Sequence, residues 1–333
     1  LEKSKTMTDE NNRRKIEPMT NYEMVYHDNS SALTVQGKDS SMNAPLNSAL
    51  AAQSSSQMTV DESWMKRIWE WADEFEIPEN NIPRNRDGLL AITRLAIFRP
   101  HWESPKISYL PDELTFLSNI AVLKINRCAL TSLPESIGKL YHLRELDVSD
   151  NRLSELPESI GQLTNLLKLN ADFNSLRRLP ESIGKLTSLI ELRVTFNNLR
   201  GLPESIGQLS SLVDLNLQNN HLRSLPESIG QLTNLTSLAV GESQLRKLPE
   251  SIGQLTNLTY LHVGDNQIRN LPESIGQLTD LDFLHVGGNN LRELPESISQ
   301  LTDLTYLYIS ENELGEFSES IIQLINMVDL GVF

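Results

Sequence analysis

The sequence predicts an α/β solenoid with parallel strands along a concave face, short helical or 3₁₀ segments along the convex face, and a helical cap at the N-terminal end. Two observations predict it: a six-residue phrase that recurs every 23 residues, and apolar residues at fixed places within each period. The phrase is Leu-Pro-Glu-Ser-Ile-Gly, and its copies begin at Leu133, Leu156, Leu179, Leu202, Leu225, Leu248 and Leu271, with Leu-Pro-Glu-Ser-Ile-Ser from Leu294. A unit of this size cannot bury its apolar side alone, so neighbouring units must stack into one core.

A single unit shows the reason for each element. Residues 146–148 alternate apolar and polar, which predicts a short strand with one buried face. Pro157 lacks an N–H donor and stops the strand from continuing. Residues 158–163 have apolar side chains at i and i+3, which predicts a turn of helix or 3₁₀ on the outer side. Gly161 is expected to let the chain turn back without a Cβ clash.

An asparagine follows the strand in most units. An inward side-chain amide can satisfy backbone groups of the turn that would otherwise be buried without a partner, so these residues should form a ladder along the solenoid. Cys128 and Ser243 interrupt the series, and Ser243 is expected to be a local weak point because it offers fewer hydrogen bonds. The asparagines are Asn151, Asn174, Asn197, Asn220, Asn266, Asn289 and Asn312.

Residues 1–60 differ from the rest of the chain. They are rich in Ser, Asn, Gln and Thr, contain few large apolar residues and show no period, which predicts a disordered polar tail. Two interpretations remain open for this tail. It is either a segment without a role or a secretion leader, because export machines thread unfolded polar segments.

Residues 61–106 are predicted to form the helical cap. Residues 61–76 have amphipathic spacing, with Asp61 as the N-cap and Pro78 shortly after the end. A second helix is expected at about residues 87–97. The tryptophans of the first helix suggest a ligand cage, but covering the open end of the core is the favoured interpretation. These tryptophans are Trp64, Trp69 and Trp71.

Residues 107–333 are assigned to the solenoid. A degenerate unit starts it, and its apolar residues include Ile107, Leu110 and Leu114. Another strand pattern starts close to the end of the sequence, where Met327 and Leu330 are apolar. We therefore expect a solenoid that is truncated at its C-terminus, with a cap or a further domain to follow.

Composition and charge exclude several function classes. The formal net charge of −15 argues against a nucleic-acid partner, because phosphate binding requires a basic surface. The single cysteine excludes a disulfide framework. No apolar run approaches the ~18 residues that span a bilayer, and no secretory leader is visible, so no membrane insertion is expected. Localisation stays open between the cytoplasm and secretion into a host cell.

The outward strand positions differ most between units, so we expect function there. Along neighbouring strands, roughly 4.8 Å apart, these positions form columns on the concave face. The first half of this face has mixed charge, and the second half has a block of rings that we predict binds a protein partner, since exposed aromatics dominate binding hot spots. The alternative is that the rings only cover the sheet or pack against a missing C-terminal segment. The candidate residues are Tyr260, His262, Phe283, His285, Tyr306 and Tyr308, with Arg193, Phe173 and Phe196 as further contacts.

No catalytic residue, metal or cofactor is assigned. His262 and His285 lie on adjacent strands at a distance where imidazoles can share zinc, but a third ligand is not obvious. Cys128 falls in the buried asparagine register, which does not suit a nucleophile. The sequence is therefore interpreted as non-enzymatic.

Six arginines form a further column with one residue in each unit. The glutamate of each Leu-Pro-Glu lies four residues further on, so mutual neutralisation along one flank is favoured over an anion-binding strip. The column consists of Arg177, Arg200, Arg223, Arg246, Arg269 and Arg292.

Two family resemblances follow from these residues. Residues 120–326 resemble the intracellular leucine-rich repeat proteins related to the Ras-suppressor group and many bacterial repeat proteins, which share the Leu-Pro-x-x-Ile-Gly phrase; this implies a protein-binding scaffold. The tail and cap also resemble leucine-rich repeat effectors that Gram-negative pathogens inject into host cells by type III secretion. The matching residues are Trp64, Trp71, Ala72, Arg86 and 91–95. Those effectors have shorter repeats, and some carry a cysteine ubiquitin-ligase domain.

Two functional hypotheses result. The first is a non-enzymatic module whose concave face binds a protein, which the second resemblance extends to an effector that acts on a host protein. The second is the substrate-recognition half of a truncated enzyme, such as an effector ubiquitin ligase.

Overall fold

A computed structural model describes residues 62–99 and 106–331. Within these ranges, eleven parallel strands form one sheet in sequence order, which confirms the predicted α/β solenoid. The predicted polar tail, residues 1–60, and the Asp61 N-cap lie outside the described residues. The strands are β1 (Arg94–Phe98), β2 (Val122–Asn126), β3 (Glu145–Asp147), β4 (Lys168–Asn170), β5 (Glu191–Arg193), β6 (Asp214–Asn216), β7 (Ser237–Ala239), β8 (Tyr260–His262), β9 (Phe283–His285), β10 (Tyr306–Tyr308) and β11 (Asp329–Gly331).

The strands and the convex segments enclose one apolar core. Neighbouring strands pair with no shift in register, so Leu146 of β3 pairs with Leu169 of β4, and the leucine at the centre of each strand from β3 to β10 is buried. Between strands, each copy of the phrase forms a short 3₁₀ helix on the opposite side, as predicted, and so do residues 112–116 of the degenerate unit. These segments are Asp112–Phe116, Glu135–Lys139, Glu158–Gln162, Glu181–Lys185, Glu204–Gln208, Glu227–Gln231, Glu250–Gln254, Glu273–Gln277 and Glu296–Gln300.

The glycine of the phrase is required by the stacking of one unit on the next. A Cβ placed on Gly161 would lie 2.5 Å from the carbonyl oxygen of Ser182 in the following unit. Among the described glycines, only Gly288 has a left-handed φ, so a close approach between units, and not a reversal of the chain, excludes a side chain at Gly161. In one unit Ser299 occupies the glycine position. The unit that follows it has a helix in place of the 3₁₀ segment.

The asparagine ladder is confirmed. Asn151 Oδ1 accepts a hydrogen bond from the N–H of Leu130 in the preceding unit at 3.1 Å, and its Nδ2 donates to Ile125 O at 2.7 Å and to Val148 O at 2.9 Å. Each asparagine therefore joins two units and satisfies buried backbone groups of both. The same pattern recurs at Asn174, Asn197, Asn220, Asn266, Asn289 and Asn312.

The first helix of the N-terminal region packs into the same core as the repeats. Helix α1 (Ser63–Glu74) buries Trp64 and Trp71, and the indole N–H of Trp71 donates to Tyr109 O at 3.0 Å. Trp69 is partly buried and donates to Pro83 O at 2.9 Å. The tryptophans thus contact protein atoms, and the ligand-cage alternative finds no support.

The expected second helix at residues 87–97 is wrong for most of its length. Helix α2 (Arg86–Leu90) is one short turn that Asn85 caps by accepting a hydrogen bond from Gly88 N at 2.8 Å, and the chain then forms β1. In β1, Leu95 and Ile97 are buried and alternate with more exposed residues. Pairing with the edge of β2 decides the conformation, because that edge offers backbone partners that a helix would leave unused.

The last described unit departs from the others. Helix α3 (Glu319–Met327) replaces the 3₁₀ segment, and β11 pairs with β10. Ser318 stands where earlier units have proline, and its Oγ caps the helix by accepting from Ile321 N at 3.4 Å. Ile322 stands where earlier units have glycine, and it continues the helix.

Replacing Ser243 with asparagine should stabilise the fold by about 1 kcal/mol. Ser243 Oγ has no hydrogen-bond partner among the described residues, whereas an amide there can accept from Leu222 N and donate to Leu217 O and Val240 O, as the ladder asparagines do. Urea unfolding measures the change, and the matched reverse variant Asn266→Ser should lose stability. An unchanged transition for Ser243→Asn would show that this position is not a weak point.

Candidate protein-binding face

The six rings of the concave face lie on three neighbouring strands. Tyr260 and His262 belong to β8, Phe283 and His285 to β9, and Tyr306 and Tyr308 to β10, and together they are the ring patch. The buried leucine between the two rings of each strand fixes their direction, because side chains alternate along a strand. Pairing without a register shift then places each ring beside the equivalent ring of the next strand.

Most rings of the patch contact their neighbours face to face. The ring centroids of Tyr260 and Phe283 are 4.5 Å apart at an interplanar angle of 10°, and those of His262 and His285 are 4.3 Å apart at 12°. Tyr308 extends the second row, at 5.2 Å and 9° from His285. Stacking of this kind holds the rings in fixed positions, which lowers the conformational entropy that they would lose on binding.

Two glycines make room for the histidines. A Cβ on Gly241 would lie 2.5 Å from Cε1 of His262, and a Cβ on Gly264 would clash with the ring of His285. Sequence reasoning missed both glycines, although a signal was present. Glycine occupies this position in three consecutive units, whereas the units on either side have a polar side chain.

Burial lowers the pKa of both histidines. For His262, burial and, to a smaller extent, the neighbouring His285 lower the pKa to about 4. Burial also lowers the pKa of His285, against the opposing effect of the Asp265 carboxylate. Nδ1 of His262 accepts a hydrogen bond from Gly264 N at 3.3 Å, which places the remaining ring proton on Nε2.

The histidine pair lacks the other ligands of a metal site. Their rings are stacked, and the described ranges contain no group of three or more His, Cys, Asp or Glu that could hold a metal ion. Cys128 is buried, its Sγ contacts Asn126 O at 3.4 Å, and burial raises its pKa to about 11. A thiol with this pKa is protonated at neutral pH and is a poor nucleophile.

The two phenylalanines of the prediction form a second, separate pair. Phe173 and Phe196 stack at 4.4 Å and 8° and are about half exposed, at 52% and 47%. Both have a left-handed backbone, with φ of 53° and 50°, which is unfavourable for a bulky residue. Phe196 follows β5, and the ring patch begins at β8, three strands further along the sheet. The two groups are therefore separated by roughly three strand spacings, about 14 Å.

Arg193 is held by an ion pair beside the phenylalanines. Its Nε lies 3.0 Å from Oδ2 of the buried Asp172, whose Oδ1 accepts from Thr195 N at 2.6 Å. Burial alone would lower the pKa of Arg193, but the charge and hydrogen bond of Asp172, together with the charges of Glu191 and Asp214, outweigh it and raise the pKa. Burial also raises the pKa of the nearby Asp214 carboxyl. Arg193 thus has a structural partner, and it is not beside the ring patch.

The predicted pairing of the arginine column with the phrase glutamates is wrong. Over the described part of the chain, no arginine of the column forms an ion pair with the glutamate four residues further on. The glutamates contact the next unit instead, as Glu158 Oε2 does when it accepts from Ser182 N at 3.1 Å. Four residues of extended chain span about 13 Å, so the spacing that brings side chains together on an α-helix separates them here.

Comparison with known proteins identifies the repeats. Residues 106–199, 192–262 and 250–332 match the leucine-rich repeat region family. No curated protein matches the sequence. Within residues 62–99 and 106–331, no helix has the length and apolar character needed to cross a membrane.

Solved structures similar to this chain include receptor ectodomains. The plant peptide hormone receptor RGFR1 in complex with RGF2 is 28% identical with a TM-score of 0.65, over 73% of this chain and 40% of that chain. A TDR receptor is 29% identical with a TM-score of 0.61, over 67% and 40%. The ectodomain of GASSHO1/SCHENGEN3 from Arabidopsis thaliana, in complex with CASPARIAN STRIP INTEGRITY FACTOR 2, is 32% identical with a TM-score of 0.59, over 67% and 28%. This chain therefore spans less than half the length of these proteins.

Acidification should destabilise the protein through His262. Between pH 6.5 and about 4 the unfolded chain binds a proton at this residue that the folded chain does not, so this contribution to stability is complete above pH 6.5 and falls as the pH decreases. The loss should approach about 3 kcal/mol. Urea unfolding at steps across this range measures it, with His262→Asn as the variant.

The exposed His142 supplies the control for this measurement. His142→Asn replaces an exposed histidine outside the ring patch and should behave like the unaltered chain in this measurement, whereas His262→Asn should reduce the pH dependence and leave the part that His285 contributes. A His262 imidazole that titrates near 6.5 by NMR in the folded protein would contradict the assignment of a buried neutral ring.

Proposed function

The chain belongs to the leucine-rich repeat family, whose domains are protein-interaction modules, and we propose that it binds a protein partner through the ring patch. The observation that carries this proposal is the concentration of six rings on three adjacent strands, whereas most outward positions of strands β3 to β7 have charged or polar side chains. Aromatic side chains at the centre of a patch are typical of the residues that dominate binding energy.

The packing of the rings favours binding over simple coverage of the sheet. Tyr306 remains 41% exposed, and the other rings of the patch are only partly buried although they stack on each other. An apolar partner side chain placed on them would remove further apolar surface from water, at about 25 cal/mol per Å². The tyrosine hydroxyls provide hydrogen bonds at the same surface.

The charged half of the face favours orientation of the partner. Lys124 forms an ion pair with Glu145, and Lys168 lies 2.9 Å from Glu191, so opposite charges alternate along this half. Rim charges of this kind affect the association rate and the choice of partner more than affinity. We therefore assign affinity to the rings and selectivity to the charged strands.

The similar receptor structures support a peptide or protein as the class of partner. RGFR1 and GASSHO1/SCHENGEN3 were solved with RGF2 and CASPARIAN STRIP INTEGRITY FACTOR 2, respectively. Solenoids expose one long face of side chains that an extended segment or a protein surface can contact along several units. The same mode of binding suits the ring patch and the Phe173–Phe196 pair.

A finer form of the proposal assigns the chain to effectors that act on a host protein. It rests on the resemblance of the tail and cap to those effectors. The test is whether a type III secretion system exports a reporter protein that is fused to residues 1–60. Export supports the assignment, and retention excludes it. The alternative is the substrate-recognition half of a truncated enzyme such as an effector ubiquitin ligase. Its catalytic cysteine would lie in a following domain, because Cys128 is buried and its pKa is raised to about 11. A reading frame that continues into a domain with a catalytic cysteine would favour this alternative.

Changing Tyr260, Phe283 and Tyr306 together to alanine should weaken partner binding at least about 100-fold, because truncating hot-spot rings costs about 2 kcal/mol or more each and these losses are not additive. Affinity capture with the unaltered chain identifies the retained protein. Titration calorimetry with that purified protein then measures the loss.

A second triple variant provides the matched control. Phe98, Phe116 and Tyr141 are exposed rings outside the ring patch, and their replacement by alanine should leave binding within about threefold. Circular dichroism and urea unfolding establish that both variants are folded. Unaltered binding by the folded ring-patch variant would refute the proposed site.

A further inference from the structure

We infer that the six arginines at equivalent positions of six consecutive units form a second binding surface, for an acidic helix of a partner protein with one carboxylate per turn. This arginine ladder consists of Arg177, Arg200, Arg223, Arg246, Arg269 and Arg292. It lies on the flank after the strands, between the asparagine ladder and the convex segments, and is distinct from the ring patch.

The stacking of the units places these arginines in a straight series. Strands pair without a register shift from β4 to β10, so residues 23 apart lie at equivalent positions in neighbouring units. Neighbouring members of the ladder are therefore roughly 5 Å apart. All six side chains are exposed, and each is available to a partner along the same line.

The ladder is not neutralised by the protein itself. Arg292 lies 3.5 Å from Glu313, and both side chains are largely exposed. The other five form no ion pair in the ranges 62–99 and 106–331. The phrase glutamates bond to serines of the next unit instead: Glu135, Glu158 and Glu227 accept from serine N–H groups, and Glu296 accepts from the hydroxyls of Ser318 and Ser320.

Neutral or basic residues flank the middle of the ladder in the neighbouring columns, and carboxylates stand beside it at the two ends, at Glu155 and at Glu293 and Glu313. Two residues before each arginine stands an uncharged polar residue in each unit: Ser175, Asn198, His221, Gln244, Gln267 and Asn290. At the C-terminal end a groove of about 670 Å³ is lined by three arginines of the ladder together with Gln267, Asn270, Asn290 and Glu313. A ligand in this groove would meet several guanidinium groups and amide donors, with Glu313 as the single carboxylate.

An anion is the ligand that this chemistry selects. Guanidinium groups bind carboxylates through two parallel hydrogen bonds, and a series of like charges gains most from a ligand with a series of opposite charges. The chain as a whole has a formal net charge of −15, so its general field repels polyanions. A partner must therefore be acidic at the ladder and compact enough to avoid the acidic remainder, which disfavours long polyanions such as nucleic acid.

The spacing of the ladder favours a helix over an extended segment. An α-helix has a pitch of about 5.4 Å, so acidic residues at i, i+4, i+7 and i+11 recur at nearly the spacing of the arginines. On an extended strand, side chains of one face recur at about 6.6 Å and lose the match within a few residues. Arginine side chains are long enough to take up the small remaining difference.

The decisive experiment uses a synthetic helical peptide with one glutamate per turn on one face, and a permuted peptide of identical composition and helicity with its glutamates spread around the helix. Fluorescence anisotropy with the full chain should show at least about tenfold tighter binding of the ordered peptide, weakening as salt increases. Arg200→Gln, Arg223→Gln and Arg246→Gln combined should abolish this preference.

A charge-matched control separates the ladder from net charge. Lys139, Arg144 and Lys185 are exposed cations outside the ladder, and their combined replacement by glutamine should leave the preference intact. The ring-patch variant should also retain it, so failure of one surface does not imply failure of the other. Equal affinity for the two peptides, an equal loss in the control variant, or tighter binding of a heparin fragment or an oligothymidylate than of the ordered peptide would overturn the inference.

Discussion

The fold depends on the bonds by which each unit fixes the distance and register of the next. Each ladder asparagine bonds to backbone groups of its own unit and of the preceding one, as Asn266 does with Val263 O and Leu245 N, respectively. The phrase glycines add the second constraint, because any side chain there would collide with the following unit. With both in place the units stack without slippage, and residues 23 apart become neighbours in space.

This constraint separates scaffold from function. The positions that set the stacking repeat with little change, whereas the outward positions vary and create continuous surfaces only because the register is exact over many units. The histidines of the ring patch show the coupling between the two. His262 and His285 stack at 4.3 Å because their strands are adjacent, and they fit because Gly241 and Gly264 have no side chains. A glycine in one unit thereby leaves the space that a histidine of the next unit occupies.

The parts that the sequence predicts well are those that one period determines. Strand, 3₁₀ segment and asparagine all follow from residues within a unit and its neighbour. Strand β1 could not be predicted in this way, since Leu95 and Ile97 also suit a helix and pairing with β2 decides between them. The sequence identifies the six residues of the ring patch. The stacking of their rings and the lowered pKa values of the two histidines depend on contacts and burial in the folded chain. The predicted ion pairs between the arginine column and the phrase glutamates do not form, because the chain between the two residues is extended.

The stability of the fold does not explain why Phe173 and Phe196 occupy their positions. The equivalent position is left-handed in the other units as well, and several of them have a residue that tolerates this backbone, such as Asp150, Asn219 and Gly288. A phenylalanine there costs on the order of 1 kcal/mol and leaves about half of its ring in water. Contact between the two rings offsets part of that cost, at about 0.5–1.5 kcal/mol for a stacked pair. Rings placed where the backbone disfavours them and water surrounds them are best understood as part of a surface that a partner covers.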